Sequence, residues 1–287
     1  MRSTSFNSIA VGFIRRWRLG ITQAFSVAGM IWLITEIITR ASTAANSWLD
    51  TNGDSYLIGV LIISVIWFVA YIFEPRTITF QVPTTNSYIT IKFGNLFDEP
   101  ADWLIGVNEF FDGRLGQVIA QKSVHGQFIS KVFNGDEALF RSAVTAALSG
   151  TASTPTARPV EPSHAFEIGT TAVVANGQRK AFLVAMSHTD YATHKAGSTV
   201  PMIWNAMRGA LQAVKSQGNG EPLAMPLIGN GLSSVNVEPQ HLLRLIILAL
   251  IDFGRKSGLP NQVTIVVSQE CFDQLDIREI KRDWYKS

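Results

Sequence analysis

The sequence predicts an α/β protein in which an N-terminal two-helix transmembrane hairpin precedes a three-layer α/β/α domain built on a mixed sheet. Between residues 19 and 73 the only charged side chains are Glu36, Arg40, Asp50 and Asp54, whereas the rest of the chain has an ordinary charge content. After residue 76, short apolar runs with the pattern of strands alternate with longer segments of helical pattern. That alternation is typical of a sheet covered by helices on both faces.

The overall composition excludes several classes of function. The 287 residues include 24 Lys and Arg against 22 Asp and Glu, so there is no basic excess of the kind that binds nucleic acid. The single cysteine, Cys271, excludes a disulfide within the chain and argues against a cysteine-based zinc site. It also fits a reducing compartment.

The second membrane segment covers residues 56–73 and contains no charged residue. At a rise of 1.5 Å per residue it spans roughly 27 Å, close to the ~30 Å thickness of the hydrocarbon core. Tyr56, Trp67 and Tyr71 lie towards its ends, where aromatic rings favour the membrane interface. The alternative is a buried core helix, but such helices are seldom apolar on every face over this length.

The first membrane segment, residues 20–39, is apolar but includes Gln23 and Glu36. Because Glu36 lies close to one end, its cost in the membrane is smaller than that of a central carboxylate. We expect a spanning helix, and an interfacial helix or a signal peptide are the alternatives. Glu36 is also a candidate functional residue, since an ionisable group in a membrane segment is a functional hypothesis by default.

The distribution of basic residues predicts the orientation of the hairpin. The connecting loop, residues 41–55, has no Lys or Arg, whereas basic residues flank the hairpin at Arg15, Arg16, Arg18, Arg76 and Lys92. Positive residues remain on the cytoplasmic side of the inner membrane, so both termini are expected in the cytosol. The predicted division is a cytosolic segment 1–18, the hairpin 19–75 and a cytosolic domain 76–287.

The soluble domain has a readable succession of elements. Alternating or apolar runs predict strands at 77–80, 88–91, 103–107, 165–173, 181–186, 222–228 and 262–267. Helices are predicted at 114–132, 136–148, 201–215 and 241–253. The turn Asn176-Gly177 predicts a hairpin, and residues 150–163 predict a surface loop. Segment 241–253 is too short to span a membrane and contains Arg244, so we expect it to pack against the sheet.

Two loops follow predicted strands and are candidates for a binding site. One combines residues 94–100 with 106–116, and the other covers 228–231. Ligands of open α/β sheets bind beyond the carboxyl ends of the strands. Gly229 and Gly231 allow backbone N–H groups to turn inwards and approach an anion, which favours a phosphate cradle. Glycines that only turn the chain are the alternative.

Three motifs in this order resemble those of a macrodomain, the ADP-ribose-binding module. They are IKFGNLF at 91–97, GVNEFFDGRLG at 106–116 and MPLIGNG at 225–231. The family's middle strand pair has counterparts in residues 167–170 and 182–184, and the resemblance covers roughly residues 78–275. It implies a macrodomain-like three-layer fold with a mixed sheet.

The complete layout is similar to the membrane–macro effector, of ThsA type, of bacterial Thoeris anti-phage systems. The resemblance implies that a partner TIR-domain enzyme makes an ADP-ribose-type signal from NAD, which the macrodomain binds. An amino-acid conjugate of ADP-ribose is one form of signal that the resemblance implies. The protein is then expected to form homo-oligomers, act on membrane lipid and cause abortive infection. No cofactor or metal is expected.

The resemblance also implies ligand-binding residues. Backbone N–H groups of Gly229, Asn230, Gly231 and Leu232 are expected to hold the diphosphate, and the opposite side is formed by Gly113, Leu115, Gly116 and Gln117, helped by a helix N-terminus. Asn108 is expected to face the distal ribose. The residues expected to border the adenine are Asn95, Leu96, Phe97 and, just past the last strand, Phe272.

Departures from the family pattern favour a ligand-binding protein over an enzyme. Position 95 is Asn where many relatives have Asp, and Asn108 is followed by Glu109 and two phenylalanines where hydrolytic macrodomains have Asn-Ala-Asn and a triple glycine. No catalytic residue is therefore predicted. The alternatives are a membrane-tethered ADP-ribosyl hydrolase and a passive docking module for ADP-ribosylated partners.

The remaining candidate side chains have structural interpretations. His188, His194 and Lys195 are expected in a solvated loop, with contact to the distal end of the ligand as the alternative. His125 and His164 have no partner spacing and are interpreted as structural. Cys271 has no adjacent group to activate it and is interpreted as core packing.

Overall fold

The computed structural model describes residues 4–158, 161–190, 193, 195–230 and 235–284. The chain forms two compact units, Met1–Arg76 and Thr77–Ser287. The first is helical, and the second contains the sheet. Each unit is described by itself below.

The first unit is a pair of packed helices, α1 (Thr4–Ala41) and α2 (Thr43–Ile72). Both are long and apolar enough to cross a membrane, by length and composition. Their large apolar side chains are mostly exposed, which suits a lipid environment. The predicted pair of apolar helices is thus confirmed in this unit.

The predicted loop 41–55 is wrong, because a single residue, Ser42, separates the two helices. The Ser42 hydroxyl caps α2 by accepting a hydrogen bond from the Ala45 N–H at 3.3 Å. The helix then continues through the polar stretch, with one interruption at Asn52, whose φ of −117° and ψ of 18° are not helical. The Asn52 amide bonds the Trp48 carbonyl at 2.9 Å, which satisfies a backbone group at the interruption.

Close backbone approach holds the open end of this hairpin together. A Cβ added at Gly12 would lie 1.6 Å from the Ile72 carbonyl oxygen, so only glycine fits there. Beside it, Arg16 donates to the Glu74 carboxylate at 2.9 Å, and Glu74 is 2% exposed. Side-chain volume at Gly12 therefore controls how the two helices meet.

The second unit is built on a mixed sheet. Its described strands are β1 (Thr77–Gln81), β2 (Tyr88–Phe93), β3 (Asp102–Asn108), β4 (Thr154–Pro155), β5 (His164–Ala165), β6 (Thr171–Asn176), β7 (Arg179–Asp190), β8 (Lys195–Gly197), β9 (Leu223–Pro226) and β10 (Gln262–Val267). The main sheet has the order β1-β2-β10-β9-β3-β7-β6, with β8 also pairing with β7. The pairs from β2 to β7 are parallel, whereas β1, β6 and β8 pair in antiparallel fashion.

Helices cover both faces of this sheet. They are α3 (Val124–Val132), α4 (Glu137–Ala147), α5 (Val200–Gln217), α6 (Pro239–Ser257) and α7 (Ile277–Trp284). On one face, Phe128 of α3 and Phe140 of α4 pack with Trp103, Ile105 and Val107 of β3 in a single buried cluster. α5 packs on β7 and against α6 on the other face. The predicted three-layer mixed-sheet domain is confirmed, and α6 is a buried helix as expected.

Two predicted elements begin later than expected. The helix predicted at 114–132 starts only at Val124, where the Ser123 hydroxyl accepts from the Gly126 N–H at 3.0 Å. The strand predicted at 165–173 starts at Thr171, because Gly169 has φ of 102° and breaks the extended run. A Cβ at Gly209 of α5 would lie 2.1 Å from the Gly169 carbonyl oxygen, so helix packing fixes this break.

We expect Gly12→Leu to open the hairpin, because the added side chain collides with backbone that has no room to yield. Overpacking of this kind costs about 1–3 kcal/mol, enough for roughly tenfold faster amide exchange around it. Hydrogen–deuterium exchange of the full chain in detergent micelles measures this for residues 66–74. Gly29→Leu is the matched control, since a Cβ at Gly29 meets no atom within 4 Å. Equal exchange in the two variants would contradict the packing argument.

Candidate functional site

The candidate site lies at one edge of the main sheet. The five strands β2, β10, β9, β3 and β7 run parallel, so their carboxyl ends meet at the same edge. The loops that follow four of them contain the residues proposed from the sequence motifs. This is the edge at which open α/β sheets bind ligands.

Backbone and side-chain contacts hold the loop after β2 in place. The Gly94 N–H donates to the Val267 carbonyl at 2.9 Å, which ties the loop to the end of β10. Asn95 is exposed, and its amide oxygen accepts from the Phe97 N–H at 3.2 Å. Leu96 is buried in the core, whereas the half-buried Phe97 packs edge-on against Trp103 with ring centroids 5.2 Å apart. Asn95 and Phe97 are thus the accessible side chains of this loop.

At the end of β3, the side-chain oxygen of Asn108 accepts a hydrogen bond, whereas its NH2 group donates none to the described residues. Asn108 is 4% exposed, and its side-chain oxygen accepts from the Asp112 N–H at 3.0 Å. Its Nδ2 group is buried and has no hydrogen-bond partner among the residues that the structure describes. A buried donor without a partner is costly, so the structure leaves one donor at this end of the site for a further partner.

The loop from Gly113 to Gln117 turns tightly rather than opening a helix. Gly113 lies against α4, where an added Cβ would be 2.7 Å from the Phe140 ring. Gly116 has φ of 78° and donates its N–H to the Ile119 carbonyl at 2.9 Å. Leu115 pairs with Ile119 in a short bridge, and Gln117 is exposed. The helix N-terminus expected to support this loop is therefore displaced to Val124.

The loop after β9 contains a glycine, Gly229, that no other residue replaces without strain. Gly229 has φ of 86°, and a Cβ there would lie 3.1 Å from Val235 and 3.2 Å from Ile203. The Asn230 amide donates to the Cys271 sulfur at 3.1 Å. Gly231 and Leu232, two of the proposed diphosphate residues, lie outside the described residues.

Phe272 is placed inside the fold rather than on the surface of the site. It is 2% exposed and packs edge-on against Phe93, with ring centroids 4.9 Å apart. Cys271 is also buried, in line with its interpretation as core packing. The His188 side chain is 66% exposed and Lys195 of β8 is also exposed, whereas His194 lies outside the described residues.

A buried charge cluster beneath the site was not anticipated from the sequence. Asp112 is fully buried, and its carboxylate accepts from Arg158 and, at 3.1–3.2 Å, from the Arg114 side chain and N–H. Burial acts to raise the pKa of Asp112, but the hydrogen bonds from the two arginines outweigh it and lower the pKa below its ordinary 3.8. The carboxylate is therefore ionised at neutral pH.

Glu109 forms a second buried acidic position beside Asn108. Its Oε1 accepts from the Thr189 N–H at 2.9 Å, whereas its Oε2 and the Thr189 hydroxyl are buried and have no partner within the described part of the chain. Burial raises the pKa of Glu109 above its ordinary 4.5, although the hydrogen bond from Thr189 and the charges of His188 and Arg158 act to lower it. Such a carboxylate is suited to accept a proton or a hydrogen bond.

The described ranges offer no obvious metal centre. In them, no group of three or more His, Cys, Asp or Glu side chains could hold a metal ion. The loops at this edge are better suited to bind an anion than a metal ion, because they contain glycines and backbone N–H groups.

The strand order and the loops at its carboxyl edge define a macrodomain fold. The Oceanobacillus iheyensis macrodomain with ADP matches with a TM-score of 0.51 and 13% identity over 74% of this chain and 98% of that chain. The same macrodomain with MES bound matches with a TM-score of 0.52 and 12% identity, over 74% and 98% of the two chains. A Trypanosoma brucei macrodomain in complex with ADP-ribose matches with a TM-score of 0.44 and 13% identity, over 69% and 74%.

A family model identifies the particular family of macrodomains that this chain matches. The model described as Thoeris protein ThsA, macro domain, matches residues 89–268, and the chain belongs to this family. No curated protein matches the sequence. The resemblance read from the three motifs is thus confirmed.

His125 is expected to make the stability of the second unit depend on pH. It is 5% exposed, no described residue forms a hydrogen bond with its Nε2, and burial lowers its pKa from 6.5 to about 4. Below pH 6.5 the unfolded chain gains a proton that the folded chain does not accept until about pH 4. The free energy of unfolding should therefore fall by about 3 kcal/mol across this window as the pH drops.

Urea titrations of the full chain in detergent micelles between pH 7 and pH 4 measure this fall. His125→Leu should remove it, because the imidazole packs against the Phe140 ring and its Nε2 forms no hydrogen bond with the described residues. His164→Leu, at an exposed position, should retain it. An unchanged pH dependence in His125→Leu would contradict the assignment.

Proposed function

We propose that this protein is a membrane effector of a bacterial anti-phage defence system, in which the macrodomain binds a second messenger derived from ADP-ribose. One observation carries the proposal: a single chain joins a macrodomain of the ThsA family to two helices that are apolar and long enough to cross a membrane. The role of a membrane anchor on a nucleotide-type sensor is to bring the response to the membrane.

Messenger binding is supported by the chemistry of the loops. A diphosphate carries negative charge that backbone N–H groups in glycine-rich turns recognise well. Gly229, with its positive φ, presents such a turn after β9, and the loop from Gly113 to Gln117 lies after β3. The free Nδ2 group of Asn108 supplies a donor for a ribose hydroxyl or another oxygen. ADP in the Oceanobacillus iheyensis macrodomain is consistent with such a ligand.

The messenger is proposed to come from a TIR-domain partner enzyme and to carry an amino acid on its distal ribose. The hairpin is proposed to lie in the bacterial inner membrane with both termini in the cytosol. Arg15, Arg16 and Arg18 before the apolar run of the first helix, and Arg76 after the second helix, support that orientation because they lie on the same side of the membrane in a hairpin.

Ligand binding is proposed to drive self-association, which then disrupts the membrane and ends in abortive infection. A ligand shifts such an equilibrium only by its differential affinity for the assembled state. The messenger must therefore bind the assembled protein more tightly than the dispersed protein. Closure of the loops at 106–116 and after β9 is the step proposed to create that difference.

One observation favours a second candidate, a membrane-tethered ADP-ribosyl hydrolase. Glu109 is a buried carboxylate with a raised pKa and an unpaired oxygen, directly beside Asn108. Carboxylates of this kind act as general bases in hydrolysis. The two candidates differ in whether the ligand leaves the site intact.

Calorimetric titration of the full chain in detergent micelles distinguishes these functions. We expect binding of ADP-ribose, tighter binding of an amino-acid-conjugated ADP-ribose, intact ligand by mass spectrometry and larger particles by light scattering. Cleaved ligand would support the hydrolase. Binding without any change in particle size would support a passive docking module. Failure of every ADP-ribose compound to bind would overturn the proposal.

Gly229→Val should weaken binding at least about tenfold, because valine is strained by about 1–3 kcal/mol at positive φ and would displace the turn. Gly220→Val is the matched control. Gly220 also has positive φ, of 78°, but it precedes β9 at the opposite edge of the sheet, and a Cβ there meets no atom within 4 Å. Equal losses of affinity in the two variants would exclude a direct role for the Gly229 turn.

A further inference from the structure

A side chain from the segment between β4 and β5 packs against the proposed ligand loop. The Arg158 side chain is completely buried. Its Nη1 donates to the Pro162 carbonyl of its own loop at 2.8 Å, and its Nη2 donates to the Asp112 carboxylate. The guanidinium carbon lies 4.4 Å from the centre of the Phe110 ring. Arg158 thus binds two residues of the turn that follows β3, although it is 46 residues away from Asp112 in sequence.

The same turn determines how the Asn108 amide is oriented. The Phe111 N–H bonds the Asn108 carbonyl at 3.0 Å, and Phe111 itself has φ of 51°. The Asp112 N–H bonds the Asn108 side-chain oxygen at 3.0 Å. The Asn108 oxygen thus accepts from Asp112, which leaves the Asn108 NH2 group as the donor for a ligand.

The second half of the ligand loop has its own supports. Gly113 lies against Phe140 of α4, and Gly116 bonds Ile119. Val118 and Ile119 both donate to the Arg114 carbonyl, at 3.2 and 3.0 Å. The contacts of Arg158 therefore bear directly on residues 108–112, and on residues 113–119 only through the hydrogen bonds that Arg114 donates to Asp112.

Stability alone does not explain a buried arginine here. Burying two charges removes both from water, and a well-packed apolar pair often stabilises a fold as well or better. The ion pair instead fixes relative positions, because the planar guanidinium contacts a carboxylate, a carbonyl and an aromatic ring at the same time.

We propose that Arg158 is a positioning residue for the ligand: acting through Asp112, it holds the Asn108 amide with its NH2 group directed to the part of an ADP-ribose-type ligand beyond the diphosphate. This role rests on the proposed function. It predicts that Arg158 matters for ADP-ribose, which has a distal ribose, and not for ADP, which lacks one.

The test measures dissociation constants of ADP-ribose and ADP for the full chain in detergent micelles. Arg158→Met should lose about tenfold in affinity for ADP-ribose, the equivalent of one hydrogen bond, and keep its affinity for ADP. Arg158→Lys should lose less, because it retains the charge but not the planar fork. Arg141→Met is the matched control, since Arg141 pairs with Glu137 on the exposed face of α4. It should bind both nucleotides normally.

The affinities of the variants for the two nucleotides test the positioning role of Arg158. A selective loss for ADP-ribose in Arg158→Met supports it, and equal losses for both nucleotides or no loss would overturn it. If circular dichroism shows that Arg158→Met does not fold, the same ratio in Arg158→Lys decides. An unmodified chain that binds ADP-ribose no better than ADP would overturn the inference alone. An unmodified chain that binds neither would overturn the proposed function and this role together.

Discussion

Parallel pairing at the centre of the sheet is the constraint on which the rest of the second unit depends. Each parallel neighbour requires a crossover through a helix, and this places α3 and α4 over one face and α5 and α6 over the other. It also brings the carboxyl ends of β2, β3, β7, β9 and β10 to one edge. Loops distant in sequence meet there, so the site is a consequence of strand direction before any particular side chain is considered.

Local signals in the sequence were sufficient for much of this fold. The strand β10 and the helices α5 and α6 follow from apolar periodicity and from Pro or Gly at their ends, and the glycine motifs identify two of the loops. The same reasoning predicted the wrong structure for the segment after residue 41, which is helical. Its Ser, Asn, Asp and Gly residues indicate a loop, yet the Ser42 and Asn52 side chains form hydrogen bonds with neighbouring helical backbone groups instead.

The charge cluster beneath the site could not be predicted for a different reason. Arg158 lies in a Thr-, Pro- and Ala-rich stretch that gives no periodic signal, and its partner is distant in sequence. Whether an isolated charge is buried depends on which loop covers it, and that is a property of the tertiary fold. Phe272 illustrates the converse, because its position after β10 suggested a place beside a ligand, whereas the structure packs it on Phe93.

The lengths of the two N-terminal helices have a consequence for the far side of the membrane. α1 has 38 residues and α2 has 30, or roughly 57 and 45 Å, against a hydrocarbon thickness of ~30 Å. The extra length of α1 lies mostly at its start, where Arg15, Arg16 and Arg18 precede the apolar segment, whereas that of α2 lies beside Ser42, where Asp50 and Asp54 precede the uncharged run 56–73. In the proposed orientation, the polar start of α2 would present a short, folded, charged helical surface outside the cell membrane, where an unstructured loop would present no defined surface.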